Sequence, residues 1–101
     1  MHRLTVQYFA PADPAAFDQA YESRHVPLVR DLPGLKSFTL TRPRALGGEA
    51  PHLVAELYFE DAEALDTALR SPQMAEAAKD AATYDVASTV MFTGEVRQVL
   101  G

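Results

Sequence analysis

His52-Leu53-Val54-Ala55-Glu56-Leu57-Tyr58-Phe59 is the stretch that decides the fold. Read in steps of two, Leu53, Ala55, Leu57 and Phe59 form one fully apolar face, and His52, Val54, Glu56 and Tyr58 form the other. A strand with one wet face alternates apolar with polar. Here Val54 and Tyr58 break the polar face, so both sides of the strand call for cover.

Downstream, Asp61 caps a helix whose buried stripe is Leu65, Ala68 and Leu69. Ser71-Pro72 breaks and restarts it, leading to Met74, Ala77, Ala78 and Ala81. A last strand runs from Val86 to Val96, interrupted by Gly94, with Val90 and Phe92 on one side and Ala87 and Met91 on the other. Upstream, Pro43 to Pro51, with Gly47-Gly48, reads as an exposed loop. A strand precedes it from Lys36 to Arg42, and Leu32-Pro33-Gly34-Leu35 turns the chain before that.

At the start, Leu4 to Phe9 alternate as a strand, which Ala10-Pro11-Ala12-Asp13-Pro14 ends. Asp13 can accept from the free N–H groups of a first helical turn, and Pro14 sits where a missing N–H is harmless. Phe17, Ala20, Tyr21 and Leu28 follow at helical spacing. Pro27 predicts that this helix ends or kinks close to His25.

The order is β-α-β-β-α-β, the ferredoxin-like α+β arrangement of a four-stranded antiparallel sheet with two helices on one face. One domain spans residues 1–101, a length suited to a single core. The chain has no spare element for the second sheet face, so a second copy is the economical cover, giving a homodimer. At about 25 cal/mol per Å², burying several hundred Å² of apolar sheet on each subunit is a substantial driving force.

Composition closes off other classes. Apolar residues are 48% and charged residues 23%, a globular balance. Cysteine is absent, which removes disulfides, thiolate metal sites and thiol nucleophiles. With no signal-peptide pattern at the start and no apolar run of membrane length, a cytoplasmic location is expected, with no membrane contact. The net charge of −5 resides between Glu60 and Asp85, where seven acids face Arg70 and Lys79. This is a solvated acidic face. The remainder is balanced, so no basic stripe exists for nucleic acid.

His25 is the candidate catalytic residue. It follows Tyr21 by one turn and Phe17 by two, so a helix points all three the same way. An imidazole facing the core can exchange a proton near neutral pH. The other reading is that His25 donates to a backbone carbonyl at a helix end. His52, Glu56 and Tyr58 share a strand face, and a His with a carboxylate can work as a base and its orienter. Against this, His52 borders a loop, where exposure is the commoner state. No spacing favours a metal site, and no phosphate loop, dinucleotide fingerprint or serine elbow is present. No cofactor is expected, so any activity rests on acid–base chemistry or on the substrate's own reactivity.

Asp13-Pro14-Ala15-Ala16-Phe17-Asp18, Tyr21, His25-Val26-Pro27-Leu28 and Leu32-Pro33-Gly34-Leu35 resemble the EthD family. Ala55-Glu56-Leu57-Tyr58-Phe59 before an acidic helix start resembles it too. The resemblance runs from about Leu4 to the final strand and is most specific from Phe17 to Leu35. It implies a dimeric α/β barrel of two face-to-face sheets. It also implies an association with bacterial breakdown of ethers and other organic compounds, often described as oxidoreductase-linked. The wider superfamily includes cofactor-free monooxygenases, polyketide cyclases and muconolactone isomerases. In the methylmuconolactone isomerase relative, the matching helix histidine lines the ligand pocket. That relative's pocket tyrosine falls at Phe38, and its cysteine has no counterpart, so the resemblance implies the pocket rather than that isomerisation. A small hydrophobic ligand is then expected beside His25, shaped by Phe17, Tyr21, Phe38, His52, Glu56 and Tyr58. A non-catalytic binding or accessory protein of a catabolic or biosynthetic cluster is the alternative.

Overall fold

The computed structural model describes all residues from Met1 to Gly101. The chain runs β1 (His2–Pro11), α1 (Pro14–Ala20), a five-residue π-helical turn (Tyr21–His25), α2 (Val26–Arg30), β2 (Ser37–Thr41), β3 (Leu53–Phe59), α3 (Ala62–Leu69), α4 (Pro72–Ala81) and β4 (Val86–Glu95). The four strands form one antiparallel sheet in the order β2-β3-β1-β4. This is the ferredoxin-like α+β fold.

Register sorts the side chains onto two faces. Leu4, Val6 and Tyr8 of β1 lie opposite Leu57, Ala55 and Leu53 of β3. These six join Phe59, Phe17, Tyr21, Val29, Leu32, Leu65 and Ala68 in the core between sheet and helices. Phe59 is fully enclosed. Thr5 lies between Glu56 and Phe92, and Gln7 between Val54 and Val90. Those residues belong to the opposite face, which no helix covers. Val90 and Phe92 are exposed there, and Met91 is exposed on the helix side of β4. The strand passes through Gly94, which pairs with Arg3, instead of being interrupted by it.

The caps predicted at Asp13 and Asp61 form, and the structure adds one at Ser71, where the helix restarts. Asp13, Asp61 and Ser71 accept from the backbone N–H of Ala16, Ala64 and Met74. Gly34 takes φ +74° in the turn before β2, a left-handed value that glycine adopts without a Cβ penalty.

Of the two outcomes expected at Pro27, an end or a kink close to His25, the structure shows a local distortion of the helix and not its end. The chain widens by one residue, so that Val26 N–H bonds to Tyr21 C=O, and then continues as α2 to Arg30. Pro27 has no N–H to give to Ser23 and its ring would strike that carbonyl in a regular helix. A π-turn before the proline absorbs the conflict without stopping the helix. It also sets the angle at which Tyr21 and His25 meet the core.

Candidate functional site

Beneath α2 and α4 the core opens into a cavity of about 170 Å³. Its floor is sheet, including Leu4, Val6, Tyr8 and Ala55, and its helical wall includes Tyr21, Val29, Met74 and Ala77. Thr89 and Met91 of β4 complete the lining. The lining is almost wholly apolar. His25 is its one imidazole, and no Asp, Glu, Lys or Arg reaches it.

His25 is buried, with 5% of its surface exposed. Its Nδ1 stands 3.0 Å from Oδ2 of Asp80, which projects from the last turns of α4. An ionised carboxylate only accepts, so Nδ1 carries the proton and Nε2 presents a lone pair. No side chain or carbonyl of the protein bonds to Nε2. The Tyr84 hydroxyl donates to the same Asp80 oxygen. Arg24 lies 3.4 Å from the other oxygen and places its guanidinium 5.3 Å from the Tyr84 ring centre.

The electrostatics follow from this packing. Burial pushes the His25 pKa below its usual 6.5, and the Asp80 carboxylate offsets only part of the effect. His25 is therefore neutral at pH 7. Burial pushes Asp80 upward, but bonds from Tyr84 and His25 and the charge of Arg24 outweigh it, leaving the carboxyl below its usual range. Burial raises the phenol of Tyr8 to about 12, and that of Tyr21 higher still. Both stay protonated donors.

Phe17, Tyr21 and His25 do form one row, with ring centres 5.7 Å and then 4.9 Å apart. Of the residues singled out in the sequence, His25 and Tyr21 line the cavity. Phe17 stands behind Tyr21, packed on Tyr8, Tyr84 and His52. Phe38 pairs with Leu57 and packs at the core margin on the edge strand β2.

The other three need correction as to place. Glu56 and Tyr58 point to the helix-free face, across the sheet from His25, and Glu56 pairs there with Arg3 at 3.1 Å. An even residue of β3 cannot share a face with Leu57. His52 does not join them either. It precedes the first paired residue of β3, and its Nε2 meets Oδ1 of Asp18 on α1 at 2.7 Å. Arg42 binds the other Asp18 oxygen at 2.9 Å, so one carboxylate holds both ends of the 43–51 loop.

Tyr8, Asp80 and Tyr84 were not legible as site residues. Asp80 reads as part of an acidic surface, and nothing local ties it to a histidine 55 positions earlier. The weak signal available was Tyr84 four residues after Asp80, an aromatic hydroxyl in the turn that follows α4.

No helix is long and apolar enough to cross a membrane. Comparison with known proteins gives a family match to the EthD domain over residues 10–85. An 11.0 kDa protein of the thcB–thcC intergenic region of Rhodococcus erythropolis is 42% identical over 98 residues, covering 94% of this chain and 95% of that one. The crystal structure of an ethyl tert-butyl ether d (EthD) family protein from Bacillus halodurans superposes with a TM-score of 0.87 at 32% identity, over 96% of this chain and 99% of that one. At 22% identity, SnoaB, a cofactor-independent oxygenase from Streptomyces nogalater, shares the fold with a TM-score of 0.69, over 98% of this chain and 95% of that one. With 76 consecutive positions matched by the family and a full-length relative beside it, this chain belongs to the EthD family.

Proposed function

We propose that the protein is a homodimeric, cofactor-free acid–base enzyme that holds a small hydrophobic organic molecule in the cavity and moves a proton through His25. One observation carries this reading: an imidazole with Nδ1 held by Asp80 and Nε2 unbonded at the wall of an apolar cavity. Such a group is a base of fixed tautomer at pH 7. Tyr21 and Tyr8 contact the ligand, while Phe17, Phe38 and His52 support the site from outside the cavity. Proton abstraction serves an isomerase or cyclase directly. It serves a monooxygenase-type reaction when the substrate anion itself reacts with oxygen. The cofactor-independent oxygenase from Streptomyces nogalater supports the second case by its shared fold. Family membership favours a role in catabolism of organic compounds, in the cytoplasm.

Glu56 and Tyr58 fall to the dimer interface in this reading. Val90, Phe92 and Val54 make that face apolar, and the solved ferredoxin-like relatives from Bacteroides fragilis and Thermobifida fusca are described as dimeric. A purely binding role has one observation in its favour: the cavity holds no second base or acid beyond its phenols.

Native mass spectrometry of the freshly purified protein identifies the bound molecule, and its conversion is then followed with the wild type and His25→Ala. Loss of turnover with folding retained supports the enzyme. A lowered melting temperature with no turnover by either protein leaves the binding role.

A further inference from the structure

The charge distribution around the cavity restricts what it can hold. Resting on the ligand-binding reading above, we propose that the ligand is a neutral, single-ring-sized molecule bearing an O–H or N–H donor, of the phenol or enol class, and that carboxylate-bearing molecules are refused. Three observations carry this.

Size comes first. The cavity measures about 170 Å³. Apolar cavities of about 150 Å³ take up benzene. One ring with a small substituent fills the space.

Polarity comes second. Nε2 of His25 is an acceptor, because the proton sits on Nδ1 against Asp80. Its complement is a donor, and a ligand without one leaves the lone pair buried and unpaired. A carboxylate in the same position sets negative charge against a lone pair.

Charge comes third. No lysine or arginine lines the cavity. Arg24 is turned outward, onto Asp80, Tyr84 and Thr83. The charged group bonded to the imidazole is the Asp80 carboxylate, which offers an anion no attraction. Burying an unpaired carboxylate is costly, whereas a neutral hydroxyl enters at little expense. The Tyr8 phenol, which accepts from Tyr21, keeps its own O–H as a donor for an oxyanion formed after the ligand's proton has passed to Nε2. The proton stays on the ring and returns to the ligand carbon or oxygen, so no oxidant is required for that exchange.

Three ring-sized probes test this at pH 7 by ligand-observed NMR and calorimetry: phenol, toluene and benzoate. Phenol is expected to bind about tenfold more tightly than toluene, with benzoate at least another tenfold weaker than toluene. His25→Ala is expected to bring phenol down to the affinity of toluene and leave toluene within about twofold. Benzoate binding as tightly as phenol overturns the inference while leaving the cavity a binding site. Phenol unaffected by His25→Ala also overturns it. Failure of all three probes, with Met91 and Tyr8 resonances unmoved, sinks the underlying ligand-binding reading as well.

Discussion

His25 balances burial against a carboxylate, and burial has the greater effect. That ordering has a consequence for stability. Its folded pKa lies below the unfolded 6.5, so protonation favours the unfolded chain. The stabilisation is complete above pH 6.5 and is lost as pH falls through the lower folded value. Asp80 works in a separate window. Its folded pKa lies below 3.8, so its contribution is present above 3.8 and disappears only in stronger acid. Urea unfolding from about pH 8 down to about pH 4 is expected to show stability falling below pH 6.5, with a shallower slope in His25→Gln. An equal slope in that variant would show that another group titrates. Asp80→Asn is expected to move the acid limb of any activity to lower pH, because the remaining upward pull on His25 is gone. Nitrogen NMR of the ring is expected to show Nδ1–H in the wild type and a mixture of tautomers in the variant.

Among the elements, the segment from Ala10 to Arg30 carries two local conflicts. Pro27 is accommodated by the π-turn described above, and the same turn seats the catalytic candidate. Ala10, by contrast, takes φ +48° at the end of β1, where a Cβ is unfavourable. Its side chain is exposed, so no packing compensates. Ala10→Gly is therefore expected to raise stability by about 0.5–1 kcal/mol in urea unfolding, the strain relief being partly offset by the greater unfolded-state entropy of glycine. A destabilised variant would place the origin of the bend elsewhere. On β3, Phe59 is the most enclosed large side chain, and Phe59→Ala is expected to cost about 3–5 kcal/mol. The alternation of β3 was readable because period two needs only the chain itself. The assignment of its two faces was not, because it depends on which side the helices pack.

For the whole molecule, one sheet face is core and the other is bare. Val90 and Phe92 are 42% and 45% exposed on the bare side, and Thr5 beside Phe92 buries a hydroxyl that has no partner. The proposed dimer would cover this face. Phe92→Glu places a charge on this face, on the edge strand β4 beside Thr5, and is expected to give a folded monomer by sedimentation equilibrium, where the wild type sediments as a dimer at micromolar concentration. A wild-type monomer at that concentration would remove the barrel from the proposal. The cavity beside His25 lies on the other side of the sheet, so the variant also asks whether ligand binding needs the second copy.

The amino-acid sequence by itself determined the order of elements, the caps at Asp13 and Asp61, the break at Ser71-Pro72, the glycine turn at Gly34, and the row of Phe17, Tyr21 and His25. Each of these rests on contacts within a few residues, where periodicity and backbone chemistry decide the outcome. Only the tertiary structure decided that Asp80 and Tyr84 orient His25, that His52 turns to Asp18, and that Glu56 and Tyr58 face away from the cavity. Those pairings join residues tens of positions apart, and the packing of helices onto one side of a sheet brings them together. Local spacing carries no record of it.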